Sequence, residues 1–177
     1  MRCIRPFAEG ESPIRAAPPS VSLRRSCRRT SLLSQGSHHH VRASPDGKQV
    51  YVSLRDENSV AVIDTATREV VGKIGVGRNP IQLYAAGRDL MYVANQGSES
   101  DPDNTVSVID TRRKTLIKTM TTGKGAHGVV ASDDGRFVFV TNSVDNTVSA
   151  IDNGSQEVVA TYPVGLNPNG ISYRRVR

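Results

Sequence analysis

The sequence predicts an all-β fold made of repeated four-stranded blades, and three observations lead there. A seven-residue phrase occurs three times: residues 58–64 read NSVAVID, 104–110 NTVSVID and 146–152 NTVSAID. The copies start 46 and 42 residues apart, a period typical of β-propeller blades. No window shows a capped helical period, whereas Val60 with Val62 and Val106 with Val108 fall at the period of two that a strand requires.

Each unit opens on a first strand and a turn. The turns are Ser44-Pro45-Asp46-Gly47 and Ser132-Asp133-Asp134-Gly135, with a weaker copy at Ala86-Gly87-Arg88-Asp89. Asp-Gly between β-rich runs is a hairpin signal, because glycine takes the positive φ of a tight turn. A second, apolar strand follows at Val50-Tyr51-Val52, Met91-Tyr92-Val93 and Phe137-Val138-Phe139-Val140. Its nearly continuous apolar character suits a strand covered on both faces. The repeated phrase is the third strand. A turn at Asp64, Asp110 or Asp152 leads to the last strand, at residues 70–76, 115–120 and 158–164.

The predicted organisation is a leader at 1–36, blades at about 37–78, 79–124 and 125–166, the first strand of a fourth at 167–173, and a basic tail at 174–177. Three blades and one strand are fewer than the four to eight that close a propeller. The expectation is therefore an incomplete propeller segment: part of a larger propeller, an associating species or a marginal fold.

Residues 1–42 hold eight Arg and two Glu, while residues 43–177 hold fifteen basic and fifteen acidic side chains. The whole formal charge of +6 thus sits in the leader, and the balanced repeats give no basis for nucleic-acid binding by the propeller. Arg24-Arg25-Ser26-Cys27-Arg28-Arg29 reads as a disordered basic arm. The polar residues after it do not form the apolar segment of an export signal. No apolar stretch is long enough to be a transmembrane helix. Cys3 and Cys27 both lie in the leader, without CxxC or CxxCH spacing.

With these residues in hand, the chain resembles the YVTN family of β-propeller repeats. The resemblance rests on Ser44-Pro45-Asp46-Gly47, Tyr51-Val52-Ser53, Tyr92-Val93-Ala94-Asn95 and Phe139-Val140-Thr141-Asn142. The Val-Ile-Asp and Ala-Ile-Asp endings at 62–64, 108–110 and 150–152 add to it, as do the links Gly77-Arg78-Asn79-Pro80 and Gly165-Leu166-Asn167-Pro168. It covers roughly residues 36–173. It implies a propeller and a periplasmic or cell-surface setting, and it transfers no activity. Related propellers include haem-binding domains of nitrite reductases, amine dehydrogenase subunits and lactonases.

His39 and His127 each stand five residues before the serine of their turn, at Ser44 and Ser132, so they occupy equivalent places at blade entrances. Ile81 and Asn169 match them. First strands line the channel of a propeller, which makes a haem or metal ligand one reading and a structural, channel-lining role the other. Blades one and three are not neighbours, and sites on the order of 10 Å apart in a closed propeller cannot share a zinc ion that needs nitrogens within about 2.1 Å.

Asp64, Asp110 and Asp152, and with them Asn58, Asn104 and Asn146, recur at strand ends. That position favours Asx-type turns over calcium binding or catalysis. Glu99, Asp101 and Asp103 lie in an insertion outside the repeat plan and are weighed as a calcium loop against a solvated surface loop. No serine has a GxSxG setting, and no glycine-rich phosphate loop is present.

The functional expectation is a non-catalytic binding or scaffold module without an assigned cofactor. Its partner would be another protein, or another copy of itself through open blade edges. The alternatives are the remnant of a haem- or metal-dependent oxidoreductase propeller and, with less support, a lactonase-like hydrolase.

Overall fold

The computed structural model describes residues 38–87 and 89–174. The predicted basic leader therefore lies outside the described residues, as does the side chain of His39. Three four-stranded antiparallel sheets follow one another along the chain. Blade one is β1 (His38–Ala43), β2 (Gln49–Leu54), β3 (Ser59–Asp64) and β4 (Val70–Gly75). Blade two is β5 (Pro80–Ala86), β6 (Leu90–Gly97), β7 (Pro102–Asp110) and β8 (Thr115–Thr121). Blade three is β9 (Ala126–Ala131), β10 (Phe137–Asn142), β11 (Thr147–Asp152) and β12 (Glu157–Pro163). A short 3₁₀ turn at Arg55–Glu57 joins β2 to β3. No helix among the described residues is long and apolar enough to cross a membrane.

Register is the same in every blade: Val52 faces Ala61, Val93 faces Ser107 and Val140 faces Ser149. With a side-chain period of two, this sends Val60 and Val62 to one face, and Val106 and Val108 to the same face one blade later. The core lies between the sheets. Tyr51, Val60, Val62 and Ile74 of blade one pack on Leu83, Met91, Val93 and Ile109 of blade two. Tyr92, Val106, Val108 and Met120 then pack on Val129, Val138, Val140 and Ile151 of blade three.

The tyrosines of the second strands add a polar latch to each seam. The Tyr51 hydroxyl donates to the Thr111 carbonyl at 3.1 Å, and the Tyr92 hydroxyl to Asn153 Oδ1 at 2.7 Å. Burial pushes both hydroxyls up to about 12. Thr111 and Asn153 each follow the aspartate that ends a third strand, so the latch recurs from blade to blade.

Two irregularities also recur. The last strand of every blade carries a bulge opposite the step from Val62 to Ile63, from Val108 to Ile109 or from Ala150 to Ile151. The extra residues are Val71, Ile117 and Val159, and all three are exposed. A bulge in the outer strand twists the free edge and blunts its capacity to pair.

Candidate functional site

The second irregularity shapes the blade entrances. Each first strand carries one residue more than its partner, between His38 and Val41, between Pro80 and Leu83, and between Ala126 and Val129. The histidines and their counterparts fall inside this bulge: His39 and His40, Ile81 and Gln82, His127 and Gly128. A bulge leaves an amide outside the ladder and re-aims the side chains around it.

In blades one and three a hydroxyl on the second strand takes that amide. His40 N donates to Ser53 Oγ at 3.0 Å, and Gly128 N donates to Thr141 Oγ1 at 2.8 Å. This gives a physical reason for Ser or Thr as the third residue of the YVTN-like phrase. Ser53 also donates to the Ile81 carbonyl at 2.9 Å, which ties blade one to the entrance of blade two.

The re-aimed side chains are His40 and Gln82. Gln82 Oε1 accepts from Val129 N at 3.1 Å, and His40 Nδ1 stands 3.5 Å from Leu83 N. Both reach from one inner strand to the next, one residue later in the bulge than the position the sequence singled out. Burial first, and then the charge of Arg42, holds the His40 imidazole below its ordinary value, so it stays neutral and Nδ1 can accept. Sequence spacing missed this pair, because the bulge is invisible to a period-two count and Gln82 does not resemble His40. His127 is half-buried in the corresponding bulge of β9.

The same end of the molecule carries the links between blades and the acidic insertion. The insertion is a hairpin extension in which Gly97 pairs with Pro102, so Asp103 belongs to β7 and is buried. This corrects the expectation of a solvated loop at that residue. Its carboxylate accepts from Arg78 N at 2.9 Å, Thr105 N at 2.9 Å and Thr105 Oγ1 at 2.7 Å. Asp101 forms an ion pair with the Arg78 guanidinium. Asp101 and Asp103 are thus drawn to one arginine of the link, and Glu99 remains at the exposed tip. Among the described residues, no three His, Cys, Asp or Glu side chains gather as a metal-ligand set.

The recurring polar residues have definite partners. Asp64 Oδ1 accepts from the amides of Ala66 and Thr67, both at 2.9 Å. Asp110 Oδ1 does the same with Arg112 and Arg113, and Asp152 Oδ1 with Gly154 and Ser155. Asn58 and Asn146 adopt the left-handed conformation, and their side chains hold the following link: Oδ1 accepts from Asn79 N at 2.9 Å and from Asn167 N at 2.7 Å. Asn104 lies inside β7, yet its carbonyl accepts from Thr122 N just as those of Asn58 and Asn146 accept from Val76 N and Val164 N.

Asn95 and Asn142, which close the YVTN-like phrase, each donate to two hydroxyls of the third strand. The acceptors are Thr105 and Ser107, and Thr147 and Ser149. Gly77 and Gly123 of the preceding links lie directly over these amides; a Cβ there would come within 2.4 Å of Asn95 and 2.7 Å of Asn142.

The turn carboxylates make acid a probe of the fold. Backbone amides hold the Asp64 and Asp152 carboxyls below the ordinary 3.8, and hydrogen bonds from the Ser44 and Ser132 hydroxyls do the same for Asp46 and Asp134. With folded values below unfolded ones, their contribution is complete above the ordinary value and is lost as pH falls through the folded one. The urea midpoint should therefore be level down to about pH 4 and decline below it, modestly because these groups face water. Asp64→Asn should flatten part of the decline while keeping the turn. A midpoint that stays level to pH 2 would contradict this account.

At the opposite end, two clefts follow the seams. One of about 390 Å³ lies between the Ser44–Asp46 turn and Asp89, Thr111 and Arg112. Another of about 320 Å³ lies between Tyr84 and the 132–135 turn. Both are grooves where the hairpin turns of adjacent blades meet.

The repeat geometry has a counterpart among known families: the model of the YNCE-like beta-propeller matches residues 77–176. The chain belongs to this family. YNCE-like propellers are of the YVTN repeat type, in agreement with the phrases at Tyr92 and Phe139. No curated protein matches the chain.

Among solved structures, Kuenenia stuttgartiensis hydrazine synthase is similar, with 29% identity and a TM-score of 0.69 over 81% of this chain and 41% of that one. The dihydro-heme d1 dehydrogenase NirN, solved in complex with DHE, aligns with a TM-score of 0.59 over 73% of this chain and 28% of that one. At 16% identity that second likeness shows the fold alone. The chain spans less than half the length of either structure.

Proposed function

We propose that this YNCE-like segment is a non-catalytic module that presents its blades as a binding or scaffold surface, in a periplasmic or cell-surface setting. The observation that carries the proposal is the flank of blade three. Tyr162 is 56% exposed there, and Val164 and Leu166 stand open beside it. A contiguous apolar surface on a protein in water favours association. The recurring aspartates and asparagines are engaged in turns and links, which supports a role in building the blades.

A second reading draws on His127, which the entrance bulge of β9 sets at the end of the blade where the links converge. Under that reading the chain is part of a haem- or metal-dependent oxidoreductase propeller, and hydrazine synthase is by its name an enzyme. A haem titration followed by absorption separates the two. The module predicts no Soret displacement that depends on His127. A displacement abolished by His127→Ala would replace the module with the cofactor reading.

A further inference from the structure

The hydrophobic clusters of the molecule are not built alike. Two of them interleave residues of neighbouring blades, whereas the third, Val52, Leu54 and Ala61 with Val50 and Ile63 beside it, belongs wholly to blade one. This is the face that blades two and three turn toward the blade before them, since Val93 with Ser107 and Val140 with Ser149 take the register of Val52 with Ala61. Among the described residues, no strand of another blade joins the cluster. Val52, Leu54 and Ala61 are nevertheless 5%, 3% and 1% exposed.

The cover is partial, and its extent is graded over the sheet. Leu54 pairs with Ser59 at the link end, and both are buried; so are Val52 and Ala61, the next pair on that face. Val50 and Ile63, the pair after, are half-buried. Val41, beside Val52 on the inner strand, is 58% exposed, although its counterparts Leu83 and Val129 are fully buried beneath the preceding blade. A whole blade, or a second copy seated like one, would bury Val41 as well. The gradient calls for a short segment held at the link end, where β1 begins at His38.

The residues ahead of β1 lie outside the described ones, but their sequence keeps the repeat register. Ile74 and Met120 stand six residues before Pro80 and Ala126, where β5 and β9 begin, and Leu32 stands six before His38. Ile74 and Met120 are buried at their seams, whereas their successors Gly75 and Thr121 are exposed; Leu33 has that second position. The link glycines Gly77 and Gly123 correspond to Gln35. In blades two and three the glycine lies over an asparagine whose amide donates to two third-strand hydroxyls. Blade one has Leu54 and Ala61 where blade two has Asn95 and Ser107, and its remaining hydroxyl, Ser59 Oγ, is buried without a partner. The carboxamide has moved from the strand to the link.

We infer that residues 31–37 of this chain cap blade one, with Leu32 over Val52 and the Gln35 carboxamide on Ser59 Oγ. A side chain at the link position keeps the cap farther from the sheet than Gly77 lies from Asn95, and the length of Gln35 spans that gap. Covering Val52, Leu54 and Ala61 removes apolar surface from water. A partner for Ser59 removes the penalty of an unsatisfied buried hydroxyl. The inference goes beyond the binding-module reading and is independent of it, because the capped face takes no part in either account of function.

Hydrogen exchange on the full 177-residue chain tests the cap directly. Amides of residues 32–36 should exchange at least about tenfold more slowly than those of residues 24–29, at a rate independent of protein concentration. Exchange as fast as in 24–29 would overturn the inference, as would protection that fades on dilution, the mark of a second copy. Leu32→Lys should lower the urea midpoint, and Leu33→Lys, one position out of register, should leave it level. Equal midpoints for the two variants would also overturn the cap. In a double-mutant cycle, Gln35→Ala should lower the midpoint while Ser59 is present and leave it level in a Ser59→Ala background. Equal losses in both backgrounds would remove the Gln35 contact from the inference. Haem absorption enters none of these measurements, so the cap and the module reading fail separately.

Discussion

Tyr92→Ala should remove most of the stability of the fold, while Phe139→Ala, at the same position one blade later, should remove roughly half as much. Tyr92 is fully buried between blades two and three, and truncating a buried aromatic to alanine costs about 3–5 kcal/mol. The substitution also removes the hydrogen bond to the half-buried Asn153 Oδ1, which adds about 0.5–1.5 kcal/mol. Against a typical domain stability of about 5–15 kcal/mol, that loss leaves little. Phe139 has no hydroxyl and is half-buried, so the apolar area it removes from water is smaller and its truncation costs less. Urea midpoints of the two variants provide the comparison. Equal losses would show that blade three is covered as fully as blade two.

Gly97→Ala should be the most damaging single-methyl change, costing at least about 3 kcal/mol, whereas Gly47→Ala should cost about 1 kcal/mol. Both glycines have positive φ, +73° and +70°, so both incur the left-handed penalty of an L-residue. They differ in surroundings. A Cβ on Gly97 would lie 2.1 Å from Asp103 N and 2.5 Å from the Asp101 carbonyl, while at Gly47 nothing stands within 4 Å. The clash at Gly97 is with backbone, which cannot rotate away, so the hairpin must open. Opening it would pull Asp103 from Arg78 N and Thr105, loosening the link between blades one and two. Chemical denaturation of the two variants settles the difference. A Gly97→Ala protein as stable as Gly47→Ala would show that the insertion bends freely.

Much of the blade plan was legible in the chain because it is written in local chemistry. Asp-Gly turns, alternating valines and aspartates ahead of Thr or Asn each act within a few residues, and the structure has strands where these signals put them. The acidic insertion was harder. Its charges suggested solvent, yet Asp103 is buried because its partner, Arg78, lies 25 residues earlier in the sequence. The entrance histidines were harder still. Equivalent spacing put His39 beside His127, but the cross-blade contact belongs to His40, because a one-residue bulge turns that side chain toward Leu83.

The sequence by itself determined the repeat, the strand order within each blade, the turn residues and the face on which each valine lies. Those follow from a side-chain period of two and from backbone conformations that Gly, Asn and Asp favour. Only the tertiary structure decided which equivalent positions are covered and which are open. Ile74, Met120 and Tyr162 are equivalent in register, and what separates them is whether another blade is packed over them. Burial depends on contacts far apart along the chain, and no local pattern encodes whether the neighbouring surface is there.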